Sequence, residues 1–340
     1  MKSDNRKSVT IKDVAKEANV SYATVSRALS GSPVIKDETR RRVLEVCHKL
    51  GYTTNYVARS MVMRETHLIG VVLPSIDNPF MSELAYHLEC GARNHGYAVM
   101  LCNSNYSYAE EEKAFTLLLG QQVDGIVIVP IGRDSYRTLK KYLSKTPTVF
   151  VNENLMDAPE SYVTVDNFQG ARIATEHLLA LGHRDIMYFG RLATSATHTF
   201  RAMGCQSVCD EHGIQPQFFD SDSDATTIQI GYHMAKELFQ TRNNFTAIQA
   251  STDTLALGVL EAAEELSIRI PEDISLIGFD NIRYAGLPKI NLTTIEQPKG
   301  AMASTAVDIL LEKIHSDYDS YAHRILSPAL VERKSCLPRR

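Results

Sequence analysis

The chain has 340 residues, 44% of them hydrophobic and 22% charged, with a net charge of −4. That composition excludes a disordered polyelectrolyte and leaves room for two or three domains with a sizeable core. No apolar run approaches the roughly 20 residues that span a bilayer, and the opening MKSDNRKSV has no apolar stretch behind it to form a signal peptide, so a cytoplasmic protein with no membrane partner is expected.

The charge is uneven: residues 1–64 carry +7 and the remainder −11. A basic head on an acidic body suggests that the head meets a polyanion and the body does not. The six cysteines, Cys47, Cys90, Cys102, Cys205, Cys209 and Cys336, are scattered without a CxxC spacing and read as reduced packing residues.

Residues 1–8 read as a basic disordered tail. From Val9 to Gly31, VTIKDVAKEANVSYATVSRALSG, the pattern is two short helices around a sharp turn. Ile11, Val14 and Ala15 form one apolar stripe, and Val20, Val25 and Leu29 a second. Ser21 falls at an N-cap position, its hydroxyl placed to accept from the amide of Ala23 or Thr24. Tyr22, Ala23, Ser26 and Arg27 then lie on the outer face of the second helix, as the side chains of a major-groove recognition helix do. Gly31-Ser32-Pro33 makes a turn. A third helix is expected over Asp37–Leu50, with Val43, Leu44, Val46 and Leu50 facing inward, Arg40, Arg41 and Arg42 near its start, and Gly51 ending it.

From His67 onward, short apolar runs alternate with amphipathic helices. The strands are HLIGVVLPSI, YAVMLCNS, VDGIVIVP, TPTVFVN and YVTVDN, with helices near Phe80–Gly96, Ala109–Leu119 and Tyr136–Leu143. A second series follows: helix Gly170–Leu181, strand DIMYFGR, helices Thr199–His212 and Thr227–Phe239, strand TAIQAST, helix Leu255–Leu266 and strand ISLIGFD, then LTTIEQP and a helix over Met302–His315. Continuous apolar strands between helices predict parallel sheets buried on both faces, and two such series predict two lobes of like fold. Ligands in such lobes bind at the carboxyl ends of the strands. That criterion selects Ser75–Phe80, Asn103–Asn105, Asn152–Asn154, Arg191–Thr197, Ser251–Asp253 and Asp280–Asn281.

The runs Val9-Thr10-Ile11, Asp13-Val14-Ala15, Val20-Ser21 and Ala23-Thr24-Val25-Ser26-Arg27-Ala28-Leu29 resemble the DNA-binding headpiece of the lactose-repressor (LacI/GalR) family. The resemblance extends to about Ser335, with IPEDISLIGFDN and LTTIEQP as further motifs. It implies an all-α helix-turn-helix headpiece over 1–54, a hinge helix over 55–65, and a periplasmic-binding-protein-like α/β core of two doubly wound parallel-sheet lobes over 66–340. The first lobe would comprise about 66–165 and 297–326, the second about 166–296 and 327–340, with LSPALVERKS as the last crossing.

The same resemblance implies DNA contacts from Thr10, Lys12, Ser21, Tyr22, Ala23, Thr24, Ser26, Arg27, Lys36, Thr39 and Tyr52. Tyr22, Ala23 and Arg27 would read base edges, Arg27 as a bidentate partner of guanine, and Thr10, Ser26 and Tyr52 would hold phosphates. Lys36 stands where the family usually opens its third helix with Ser or Thr, leaving Asp37 to cap. The hinge residues Asn55, Ala58 and Met61 would enter the minor groove at the centre of a palindromic operator, Met61 standing where a leucine wedge is usual.

For the core, the resemblance implies a small-molecule effector between the lobes. Phe80 would stack on it, Arg201 would reach in from the start of a helix, and Asp280 would accept from ligand hydroxyls or a ring N–H. Asn152, Thr197 and Asp253 are further lining positions. Ser195 and Thr226 are expected to line the effector site as well; purine-responsive relatives carry arginine where Ser195 stands and an aromatic ring where Thr226 stands, and both are missing here.

No GxSxG, HExxH or P-loop is present, and the first strand of the core leads into Pro-Ser-Ile-Asp-Asn-Pro-Phe rather than a GxGxxG turn. No catalytic residue, cofactor or metal site is expected. The expectation is an effector-controlled transcriptional regulator, most simply a homodimeric repressor without the leucine-heptad helix of tetrameric relatives. A solute-binding protein of a transport system is the alternative from a different class.

Overall fold

A computed structural model describes residues 9–29, 34–52, 65–153, 160–191, 195–221, 223, 225–241, 244–316 and 321–339. The chain divides into two compact units, Met1–Thr66 and His67–Arg340.

Among the described residues the first unit holds three helices: α1 (Ile11–Glu17), α2 (Tyr22–Leu29) and α3 (Asp37–Leu50). Val14, Ala15, Ala18, Val25, Ala28, Val43 and Cys47 form its core, with Val20, Leu29, Val46, Leu50 and Tyr52 packed around them. Leu44, expected inside, is 49% exposed. Cys47 takes the inward place because it lies one helical turn from Val43, whereas Leu44 lies about 100° round the helix. The turn between α1 and α2 is made by Asn19 at φ 52°, a left-handed conformation that asparagine tolerates. Ser21 caps α2 as expected, its Oγ accepting from the Thr24 amide at 3.1 Å. Asp37 does not cap α3: Lys36 occupies that position without a side-chain bond, and Asp37 faces Arg40 at 3.6 Å. Gly51, at φ 63°, ends α3. The expected basic tail, the Gly31-Ser32-Pro33 turn and the hinge positions Asn55, Ala58 and Met61 lie outside the described residues.

Among the described residues the second unit contains two six-stranded sheets. The first consists of β1 (Leu68–Leu73), β2 (Ala98–Asn103), β3 (Gly125–Ile128), β4 (Thr148–Val151), β5 (Ser161–Val165) and β11 (His323–Leu326), in the order β11-β5-β4-β3-β1-β2. The second consists of β6 (Ile186–Arg191), β7 (Gln217–Asp220), β8 (Ala247–Ala250), β9 (Ser275–Asp280), β10 (Thr293–Glu296) and β12 (Ala329–Val331), in the order β12-β10-β9-β8-β6-β7. All pairings are parallel except β10 with β12, which is antiparallel. Strands β3, β4, β5, β8 and β9 are buried along their whole length, as doubly covered parallel strands are.

The helices of this unit are α4 (Pro79–Asn94), α5 (Tyr108–Gly120), α6 (Arg133–Leu143), α7 (Asn167–Ala180), α8 (Ala196–Glu211), α9 (Ile228–Thr241), α10 (Asp253–Glu265) and α11 (Lys299–His315). The chain leaves the first sheet after β5, returns with α11, which packs on α4 and on β3, β4 and β5, and leaves again between β11 and β12. Helices α9 and α10 pack most closely at Gly258, where an added Cβ would strike the Tyr232 backbone.

Two differences from the sequence reading have physical causes. Strand β7 was not anticipated: it is a four-residue edge strand, only half-buried, too short to show a period. Several helices begin earlier than the apolar pattern indicates, because their first turn is set by a cap. Asn78, Ser195 and Thr252 each accept from an amide of the first turn, and the hydrophobic stripe starts only later.

Candidate functional site

In the headpiece, α2 presents Tyr22, Ala23 and Arg27 exposed, with Ser26 half-buried beside them. Val25 and Ala28, on the opposite face, are buried against α1 and α3. A short helix with one apolar and one polar face is thereby held at its amino end by Ser21 and along its length by packing. Lys12 and Lys36 are exposed and Thr39 is half-buried. Some expected DNA contacts already have partners within the head. The Thr10 hydroxyl donates to Asp13 at 2.7 Å, and the Ser21 and Thr24 hydroxyls meet at 2.9 Å. Tyr52 is half-buried and packs on the head's core.

In the α/β unit, a cavity of about 50 Å³ lies where the carboxyl ends of the two sheets face each other. The first lobe supplies Asn78 and Phe80 after β1, Tyr106 after β2, and Asn152 and Glu153 after β4; the second supplies Ser195, Thr197, His198 and Arg201, with Thr226, Thr252 and Asp280. Seven expected effector residues therefore come together: Phe80, Asn152, Ser195, Thr197, Arg201, Thr226 and Asp280.

Asp253 does not line the cavity. Its carboxylate accepts from the Ile282 amide at 2.9 Å and the Thr294 hydroxyl at 2.5 Å, which ties α10 to β9 and β10. Gly278 leaves room for it, since a Cβ there would collide with Asp253 Oδ1. Burial, with Asp280 nearby, pushes the Asp253 carboxyl up to about 7. Arg201 also differs from expectation, because it sits in the second turn of α8 rather than at its start. It is fully buried, donates to Asn167 Oδ1 at 2.8 Å and Ser251 O at 2.6 Å, approaches Asp280 at 3.5 Å and lies flat over Phe279 at 3.7 Å.

Asp280 ends β9 with φ 126° and Asn152 follows β4 with φ 66°. Such backbone strain in non-glycine residues collects at functional sites. Gln297 donates to Asp280 Oδ1 at 2.7 Å, and Lys299 donates to the Asp280 carbonyl at 2.9 Å, so residues where the chain returns to the first lobe fix this acid. Burial raises its pKa against the opposing pull of Arg201. Burial likewise holds His198 neutral, down to about 3, with its ring donating to the Gly190 backbone. His198 Nδ1 and Asn152 Oδ1 are buried without hydrogen-bond partners among the described residues. The cavity therefore offers unanswered acceptors, an aromatic wall and a carboxylate.

Glu153, His198 and Asn78 were not singled out from the sequence. Glu153 and Asn78 lie within the selected strand-end windows, but polar residues there are too common to rank. His198 carried no signal. No group of His, Cys, Asp or Glu among the described residues could hold a metal ion, and no described helix is long and apolar enough to cross a membrane.

A compact helix-turn-helix head and a two-lobed α/β unit closing on a polar cleft define a ligand-responsive DNA-binding regulator. Residues 10–55 match the bacterial regulatory proteins of the lacI family, and residues 175–336 match the periplasmic binding protein-like domain. Catabolite control protein A of Priestia megaterium is 34% identical over 327 residues, covering 93% of this chain and 97% of that protein. The lac repressor dimer bound to operator and the anti-inducer ONPF superposes with a TM-score of 0.86 at 27% identity, over 97% of this chain and all of that one. A regulator of the same family from Enterococcus faecium with bound ribose gives a TM-score of 0.72 at 28% identity, over 80% of this chain and 100% of that one. The chain belongs to the LacI family of transcriptional regulators. The relatives are regulators rather than enzymes, and the solute-transport alternative has no support.

Proposed function

We propose that the protein is a homodimeric repressor that reads a palindromic operator with α2 and responds to an uncharged, hydroxyl-rich metabolite, a sugar or nucleoside, held between the lobes. The carrying observation is the cleft: Asn152 Oδ1, His198 Nδ1 and the Asp280 carboxylate are all acceptors. A buried acceptor without a partner costs about 1–3 kcal/mol, so a ligand rich in O–H donors gains most there. The Arg201 guanidinium is turned to Asn167, Ser251 and Asp280, which leaves little for an anionic ligand. The ribose in the E. faecium regulator and the operator in the lac repressor complex are in keeping with this reading.

The protein acts without catalysis and works inside the cell, where its DNA lies. The cavity has room for one or two waters at ~30 Å³ each, so a ring-sized effector enters only as the lobes part, and its preference for one lobe arrangement sets the sign of control. Fluorescence anisotropy with operator-like duplexes at rising salt tests the head, and a thermal-shift screen of sugars and nucleosides tests the cleft. Binding to no duplex, or stabilisation only by anionic compounds, overturns the respective half.

A further inference from the structure

We propose that Lys299 and Glu83 form a charged clasp between the lobes: both are carried by the first lobe, they grip the turn after β9 in the second, and the cleft opens as that grip is released. Lys299 is the first residue of α11, yet it is only 8% exposed. A cation there meets the positive end of the helix dipole and loses its water, so the fold tolerates two costs at one side chain. Three contacts offset them. Lys299 Nζ donates to the Asp280 carbonyl at 2.9 Å and the Asn281 carbonyl at 2.8 Å, both in the second lobe, and pairs with Glu83 Oε2 of α4 at 3.4 Å. An ammonium has three donors, and each is thereby used. The other Glu83 oxygen accepts from the Arg283 amide at 2.7 Å, so the pair holds the turn at both of its ends.

The turn is strained. Asp280 has φ 126° and Asn281 φ 49°, and such conformations persist where surrounding bonds over-determine them. Within the second lobe, the Thr294 hydroxyl accepts from the Asn281 amide at 3.4 Å and Arg333 donates to Asn281 Oδ1 at 2.7 Å. The carbonyls of Asp280 and Asn281 are answered from the first lobe, by Lys299. The same groups border the cleft: Asp280 lines the cavity, and the Lys299 ammonium lies 5.9 Å from the centre of the Phe80 ring, another lining residue. Parting the lobes draws Lys299 and Glu83 off the turn, so the backbone that aims the Asp280 carboxyl is held while the lobes are together. This rests on the cleft being the effector site, since the clasp then sets how readily an effector enters.

Hydrogen exchange on the full chain, with no effector present, tests the clasp. Two peptides are read against the β8 peptide. One covers residues 281–286, beside the clasp. The other holds the amino end of α8, where the Ala196 amide donates across the cleft to Glu153 at 2.8 Å and no group of the clasp takes part. In Lys299→Met and in Glu83→Ala, exchange should quicken at least about tenfold in both peptides, as for the loss of a charged hydrogen bond, with β8 unchanged. The double variant should exchange no faster than the faster single one, since either change alone opens the clasp. Quickening confined to residues 281–286 makes the pair a local support of the turn and overturns the clasp. Unchanged rates at 281–286, a β8 peptide that quickens in step in both variants, or a double variant showing the product of the two single effects overturn it as well. Glu83 is half-buried, so its variant decides the matter should Lys299→Met fail to fold. Because no metabolite is added, failure of the effector reading leaves this result standing.

Discussion

In the headpiece, Tyr22, Ala23 and Arg27 stand exposed on one eight-residue helix. In the cleft, Arg201 and Asp280 are 2% and 3% exposed and belong to elements about 80 residues apart. The two arginines differ accordingly. Arg27 is exposed on α2 and lies outside the head's apolar core. Arg201 is part of the scaffold that shapes the cleft, so its removal affects the fold before any ligand is considered. A surface reader can be altered residue by residue, whereas a buried polar site responds as a unit.

The sharpest way to break this contrast is Arg201→Met. It leaves Asp280 buried without its cation, and loss of one partner of a buried pair costs about 3–5 kcal/mol. Urea denaturation should show the loss. A change below about 1 kcal/mol would make Arg201 a ligand contact of the same kind as Arg27.

The pH dependence of the α/β unit ranks next. Glu111 accepts from the Ile131 amide at 3.1 Å and the Ser135 hydroxyl at 3.0 Å, and burial pushes it up to about 7 from 4.5. The folded state then holds a proton that the unfolded chain has lost. Stability is full below about pH 4.5 and declines as pH rises to about 7, by up to about 3 kcal/mol for a shift of this size. Glu111→Gln should flatten that part of the profile in denaturant titrations run from pH 4.5 to 8.

On the head, Arg27→Ala should cost about 1–3 kcal/mol of discrimination between operator and altered duplexes, with the melting of the head little changed. Competition anisotropy measures it, and unchanged selectivity would remove Arg27 from the reading face. Ser21→Ala has the smallest expected effect, about 1 kcal/mol of headpiece stability from the lost cap, measured by thermal melting. A loss of DNA affinity with no change in melting would instead make Ser21 a contact residue.

The legibility of the two regions differed for the same reason. Ser21 as a cap, Val25 as core and Arg27 as surface follow from spacing within one short helix, and the sequence displays that directly. In the cleft, the strand-end rule found the neighbourhood of Phe80, Asn152, Thr197 and Asp280, and the family resemblance added Arg201. It could not tell Asp253, turned into the α10–β9 contact, from Asp280, turned into the cavity, because both are acids at strand ends in the second lobe. Glu153 looked like any polar residue after a strand.

Local periodicity, caps and the charge difference between head and body determined the helix-turn-helix, the alternating α/β pattern and the two-lobe plan. Those signals are carried by residues a few positions apart, where backbone geometry dictates who shares a face. Which polar groups meet was decided only by the tertiary structure, since Glu153 reaches Ala196, Arg201 reaches Asp280, and Asn78 reaches Thr226. Such pairs form between segments that the fold brings together, and their energies depend on burial that no stretch of sequence contains by itself.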